Sequence, residues 1–250
     1  MRVKLAFFLF LFSFFLLSCQ SSTKKQDLSK VKLLPLPALA LDQDSSIQMR
    51  GFNYQNGRLS MIVQNLLLGQ AVDSLRKRGQ KYIPLGLHLH LVLNDSLHAA
   101  QNDRNFQIKI PDGPQLFKAF LSAPNGQVIR APQAFVCRDI ETLNQSVRKS
   151  IPNRQAQIAY ASPLGQFSPQ ESQNVIVDFY RYNCKIGPQN YQVLLELDQK
   201  RSWWIQNWQA HSLQNLPPGP HQIQLSLYNA QKEKVYGPIA EEILILEEEE

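Results

Sequence analysis

PDGPQLFKAFLSAPNGQVIRAP, residues 111–132, and PPGPHQIQLSLYNAQKEKVYGP, residues 217–238, are the two stretches whose comparison decides the fold. Pro111-Asp112-Gly113-Pro114 aligns with Pro217-Pro218-Gly219-Pro220, and Phe117, Ala119 and Leu121 align with Ile223, Leu225 and Leu227. Val128-Ile129 then falls on Lys234-Val235, and Ala131-Pro132 on Gly237-Pro238. The offset is 106 throughout, with no gap. In each copy a Pro/Gly turn opens a run whose apolar residues alternate, the period that puts every second side chain of a strand on one buried face. Upstream, Leu89 to Asp95 matches Gln192 to Asp198 at an offset of 103, and Asn65-x-x-x-Gly69 matches Asn183-x-x-x-Gly187 at 118. Matches in one order over most of each half indicate two copies of one β-domain, at about 44–142 and 155–247, with Glu141 to Arg154 as the connection.

The surrounding chain agrees. Short runs rich in Val, Ile, Leu, Phe and Tyr are broken by Gly, Pro, Asn and Asp at roughly 8–12-residue intervals, the signature of an antiparallel β-sandwich. The fold class expected is all-β. Only Gln70 to Gly79 and Ile140 to Ile151 have room for a helical turn or two.

The first residues set an address. Arg2 and Lys4 precede an apolar run from Leu5 to Leu17, 13 residues long and too short to span a bilayer, and Leu16-Leu17-Ser18-Cys19 closes it. That is the layout of a secretory signal peptide (residues 1–18) ending in a lipobox, with Cys19 as the lipid-modified first residue of the mature chain. Residues 19–43 are polar, then Leu/Pro/Ala-rich, and are expected to form a flexible tether. Lys24, Lys25, Lys30 and Lys32 give it a positive bias that anionic head groups attract. Gln20 stands where some inner-membrane lipoproteins carry Asp, which points to the outer membrane. Without Arg2 and Lys4, 24 basic residues face 20 acidic ones, a net +4. There is no basic stripe interleaved with aromatics, so nucleic-acid binding is excluded from the expectations. The Glu247 to Glu250 run reads as a solubilising end.

Few residues suggest chemistry. Leu87-His88-Leu89-His90-Leu91 places the leucines on one strand face and His88 and His90 on the other, about 6.5–7 Å apart, a spacing that can clasp one divalent metal ion. Two ligands do not complete a zinc site. If Asn94-Asp95 is a two-residue hairpin turn, His98 lies opposite Leu91 on the leucine face and Gln101 opposite His88, so the other reading of the pair is a half-exposed polar face. His221 is expected at a strand end against the core edge, and His211 has no assigned role. Trp203 and Trp204 must face opposite ways, and with Trp208 they are candidate ligand-contact aromatics for a glycan or partner protein, or packing residues at a seam. Cys137 and Cys184 fall in different halves, at positions that the repeat aligns with Ile243 and Leu66; an oxidising compartment would permit a disulfide between them, and the alternative is two buried thiols. No nucleophile elbow, zinc-protease helix or phosphate loop is present, and no enzymatic activity is expected.

Several of these motifs resemble a known group. His88-Leu89-His90-Leu91-Val92-Leu93-Asn94-Asp95, Pro111-Asp112-Gly113, Ala119-Phe120-Leu121-Ser122 and Pro132-Gln133-Ala134-Phe135 are similar, in order and spacing, to the first domain of a group of bacterial envelope lipoproteins without an assigned activity. Asp178-Phe179-Tyr180, Leu216-Pro217-Pro218-Gly219 and Val235-Tyr236-Gly237-Pro238 fall where that group has similar motifs in its second half. The resemblance implies two tandem immunoglobulin-like sandwiches on a lipid anchor. This chain has Gln101 where members of the group carry a further His, and Gly126-Gln127 where they carry a His-Glu pair. The expected role is a lipid-anchored, monomeric cell-envelope protein with a binding or structural task and no required cofactor. A metal-binding role through His88 and His90 is the first alternative, and a glycan-binding accessory role the second.

Overall fold

The computed structural model describes residues 26–69 and 86–248. The expected signal segment with Cys19, and the helical turn expected at Gln70 to Gly79, lie outside these residues. Among them are β1 (Lys32–Pro35), β2 (Gln48–Gln55), β3 (Arg58–Gln64), β4 (His88–Leu93), β5 (Ser96–Gln101), β6 (Asn105–Gln107), β7 (Gly113–Ser122), β8 (Phe135–Thr142) and β9 (Val147–Pro152). The second half contributes β10 (Gln157–Ser162), β11 (Gly165–Phe167), β12 (Val175–Tyr182), β13 (Gln192–Leu197), β14 (Arg201–Ile205), β15 (His211–Gln214), β16 (Gly219–Tyr228) and β17 (Lys234–Ile245).

Four sheets result, ordered β2-β3-β6, β5-β4-β7-β8-β9, β1-β15-β12-β10 and β11-β17-β16-β13-β14. In both halves the same rule holds. Apart from β1, β9 and β11, the first, second and fifth strands of each half make one sheet, and the fourth, third, sixth and seventh make the other. That is the seven-stranded Greek-key sandwich of immunoglobulin-like domains. Alternation builds each core: in β3, Leu59, Met61 and Val63 are buried while Arg58, Ile62 and Gln64 face out.

The repeat is visible in the hydrogen-bond ladders. β7 and β16 begin and end at the same offset of 106, with left-handed glycines at their starts, Gly113 at φ 100° and Gly219 at φ 112°. Asn65 and Asn183, both left-handed, close β3 and β12. One expected match needs correction. Leu89 pairs with Leu121 and Val193 with Leu227, so β4 and β13 correspond at an offset of 104 and not 103. A one-residue slip exchanges the two faces of a strand, and the counterparts of His88 and His90 are therefore Gln192 and Leu194. Likewise Cys137 pairs with Lys118 and Ala240 with Gln224, so Cys137 corresponds to Ala240 and not to Ile243.

Two further expectations fail. Residues 140–151 hold no helical turn: β8 and β9 form a hairpin through Asn144 and Gln145, both left-handed at φ 51° and 55°. Residues 26–43 are not a free tether either. β1 pairs antiparallel with β15, Lys32 opposite Gln214, and adds a fourth strand to a sheet of the second sandwich. Leu28 and Val31 are buried in that sandwich's core, Leu36 N–H donates to Ala210 O at 2.8 Å, and Arg201 Nη1 reaches Ser29 O at 2.8 Å. An open strand edge presents unpaired backbone groups, which β1 pairs, while Leu28, Val31 and Leu33 pack on the second core. The chain then crosses to the first sandwich, where Ile47 enters the core.

The sandwiches pack face to face. Leu87, Leu89, Leu91 and Leu93 fill the first core, and Ile158, Tyr160, Val175, Val177 and Phe179 the second. The outer faces of β4, β7 and β8 meet those of β10 and β12 in a third cluster of Val92, Phe120, Val128, Cys137, Ala159, Ala161, Tyr180 and Tyr182. Four sheets are thus stacked, and β4, β10 and all but one residue of β12 are buried on both faces.

Candidate functional site: the junction of the two sandwiches

Aromatic rings close the seam. Phe120 stacks on Tyr180 with centroids 5.5 Å apart, Phe135 packs on Tyr182 at 5.4 Å, and Trp208 meets Tyr180 edge-on at 5.2 Å. Trp208 Nε1–H donates to Phe179 O at 3.1 Å. The face of β4 read as half-exposed is therefore covered, and His88 and His90 are fully buried at 0% exposure. The sequence shows one strand at a time, and this burial comes from a partner sheet more than sixty residues away.

The two histidines face each other. Gly86 lets the chain pass closely by Gly69: a Cβ at position 86 would lie 2.5 Å from Gly69 O. Gly86 O sits 2.9 Å from His88 Nδ1. A carbonyl only accepts, so that nitrogen carries the proton and His88 Nε2 is bare. His90 then donates its Nε2–H to His88 Nε2 across 2.8 Å, and His90 Nδ1 is left buried without a partner. Burial pushes His88 down to about 4 and holds His90 well below the usual range, so both rings are neutral at pH 7. A tetrahedral metal bound by both nitrogens at 2.0–2.1 Å would hold them about 3.3 Å apart, wider than the observed contact. Among the described residues no group of three His, Cys, Asp or Glu is placed to hold a metal ion. His98 is a bulge between Leu97, paired with Val92, and Ala99, paired with Leu91; its ring lies 2.8 Å from Lys109 O, and the bulge moves Gln101 opposite Leu89.

Charged groups lock the seam. The side chain of Lys118 is fully buried and bonds Asp95 Oδ1 at 2.6 Å, Ile158 O at 3.0 Å and Tyr236 OH at 2.8 Å. Tyr236 OH also lies 2.7 Å from both Asp95 oxygens. Residues of both sandwiches thus meet at one ammonium. Desolvation pulls Lys118 down, against the Asp95 carboxylate, which pulls it up. A second lock joins Arg130 Nη2 to Asp178 Oδ1 at 2.5 Å and Val128 N–H to Asp178 Oδ2 at 2.9 Å. Arg130 N–H also donates to Asp42 Oδ1 at 2.8 Å, tying in the strap that follows β1. Burial pushes Asp178 up to about 6, with Arg130 opposing.

The remaining sequence candidates scatter. Trp203 packs against the second core. Trp204 points out, 43% exposed, with Lys232 Nζ 3.7 Å above its ring and Tyr228 against it at 5.1 Å. The three tryptophans do not form one platform. Cys137 and Cys184 are both free and buried: Cys137 faces the seam, while Cys184 lies in the second core with Sγ toward Gln157 O, so the disulfide weighed from sequence is absent. His221 bonds Asp198 and Pro217 O, each at 2.8 Å, as a strand-end packing residue. The imidazole of His211 has lowered proton affinity because of burial.

Beside the seam the sandwiches leave a cleft of about 640 Å³, lined by Ser96 to Ala100, Leu164, Gly165, Glu241 and Glu242. Its long wall is β5, an edge strand, and β11 forms an edge on the opposite side.

Strand order, the double core and the sheet-on-sheet seam define an all-β protein of two tandem immunoglobulin-like sandwiches. No protein-family model matches the chain, and no curated protein matches it either. Among solved structures it is similar to the fibronectin(III)-like modules of Clostridium thermocellum CbhA, at 12% identity and TM-score 0.30, over 86% of this chain and 94% of that one. It is also similar to the central fibronectin-III array of RIM-binding protein, at 9% identity and TM-score 0.25, over 86% of this chain and 70% of that one. The fold assignment rests on the strand order above. No helix among the described residues is long and apolar enough to cross a membrane.

Proposed function

We propose that the protein is a non-enzymatic binding or structural module of the bacterial cell envelope, monomeric and held at the outer membrane by a lipid on Cys19. The observation that carries this reading is the docked strap. Gln26 Nε2 donates to Pro218 O at 2.9 Å, so only six residues, seven Cα-to-Cα steps, separate Cys19 from the body of the second sandwich. At about 3.5 Å per residue they reach at most about 25 Å. The C-terminal sandwich is the membrane-proximal one, and the first sandwich is carried on its side. The buried ionisable groups favour a module without catalysis: the histidines bond each other and the backbone, Lys118 is held by Asp95, Tyr236 and Ile158 O, and Asp178 by Arg130 and backbone N–H groups, inside a seam closed to substrate. Cys19→Ala tests the anchor. Release of the full chain into the soluble fraction is expected, and continued membrane retention overturns the proposal.

A further inference from the structure

We infer that the cleft between β5 and β11 is a docking site for an extended polypeptide segment bearing a lysine or arginine. The inference rests on the binding-module reading and names what such a module would hold. The volume of about 640 Å³ is in the range of ligand sites, which collect at domain junctions.

The character of the cleft comes from β17. Ile239, Ile243 and Ile245 alternate into the second core, and Glu241 has the same parity, placing a carboxylate on the inward row where the core opens into the cleft. It has no hydrogen bond or ion pair with any described residue, and burial raises its proton affinity. Glu242 stands beside it, also without an ion pair among the described residues. Tyr160, whose hydroxyl is bound to Pro163 O, lies within electrostatic reach of Glu241, and His98, whose Nε2 is bound to Lys109 O, lines the same cleft. A half-buried carboxylate gains most from a cation that shares its desolvated surroundings. The long wall is what selects a polypeptide over a free amine. β5 pairs with β4 on one side only, so alternate N–H and C=O groups of its other edge face the cleft, and unpaired edges are what extended segments bind. The bulge at His98 shortens the pairing run to Ala99–Gln101, so the cationic side chain supplies selectivity and a short backbone ladder supplies direction.

The test is fluorescence anisotropy on the full chain in detergent micelles, with three probes. These are a labelled seven-residue alternating valine/threonine peptide with a central lysine, the same peptide with a central glutamine, and unlabelled n-butylamine as competitor. Saturable one-to-one binding of the lysine peptide is expected, with the glutamine peptide at least about tenfold weaker and no competition from millimolar butylamine. Glu241→Gln should weaken the lysine peptide about tenfold while the unfolding midpoint holds or rises, and Ser96→Trp should block the cleft. Equal binding of the two peptides, indifference to Glu241→Gln, or no binding at millimolar peptide each overturns the inference. Full displacement by butylamine overturns the polypeptide assignment in favour of a cation pocket. None of these outcomes touches the anchored-module reading, which stands or falls on release by Cys19→Ala.

Discussion

Acidification should unfold this protein through the His88–His90 pair, and the size of the effect follows from burial. A histidine in the unfolded chain titrates near 6.5, and in the fold His88 is pushed down to about 4. Its folded value is depressed, so the native state binds fewer protons than the unfolded state between those limits. Stability is therefore lost as pH falls from about 6.5 toward 4. For His88 alone the linkage amounts to about 1.4 kcal/mol at pH 5.5 and about 2.6 kcal/mol at pH 4.5; His90, buried behind it, adds in the same direction. With an m-value of about 2 kcal/mol/M, the pH 4.5 loss is a drop of about 1.3 M in urea midpoint. The control is written in the second sandwich. Gln192 and Leu194 occupy the equivalent places, so His88→Gln/His90→Leu replaces the pair with side chains the fold already accepts there. Urea titrations at pH 7, 5.5 and 4.5 should show the wild type falling away from the variant as pH drops. Parallel midpoints across that range would refute the reasoning.

Asp178 works in the opposite sense. Its folded value is raised to about 6 from 3.8, so its contribution to stability grows as pH falls from about 6 to 4, and Asp178→Asn should remove about 3 kcal/mol of that dependence, read from the same titrations. Lys118→Ala removes the ammonium from the seam while part-exposed Asp95 keeps its contact with the Tyr236 hydroxyl, so the expected cost is about 1.5–3 kcal/mol; calorimetry should show a single transition for the wild type, lowered or split in the variant, and an unchanged trace would show that the latch does not couple the sandwiches. Leu28→Ala should cost about 2–4 kcal/mol although it lies in a segment that looks like linker, and a change below about 0.5 kcal/mol in urea titration would mean that the strap does not dock. Cys137 and Cys184 have thiols pushed up to about 11 by burial, so a thiol reagent should label both only after unfolding; rapid labelling of the native chain at pH 8, or failure to label after unfolding without reductant, would contradict two free, buried thiols.

The repeat was readable because its signals are local: Gly113 and Gly219 need left-handed backbone, Asn65 and Asn183 close equivalent strands, and the alternation of β7 survives in β16. Those features select a sandwich before any long-range contact is known. The junction was hidden for the converse reason. Lys118 within Phe117 to Leu121, and Asp178 within Val175 to Tyr180, are single charges in otherwise apolar runs, and that is the one signal that points to them; a strand with one solvent face shows the same pattern. His88-x-His90 stands out in the sequence, but its meaning depends on whether the outer face of β4 meets water or another sheet. Glu241 carries no such signal, because Glu241-Glu242 reads as an ordinary polar interruption late in the sequence.

The strap also bears on how the protein would respond to load. A pull on its N-terminal end acts along β1, parallel to a ladder that pairs Lys32 with Gln214 and Pro35 with His211. The hydrogen bonds are then loaded together in shear instead of being unzipped one by one, and Leu28 and Val31 must leave the core in the same step. If the segment ahead of Gln26 ends in a lipid, traction from a ligand held in the junction cleft would run through the second sandwich into that ladder, making a four-residue strand the mechanical fuse between cargo and membrane.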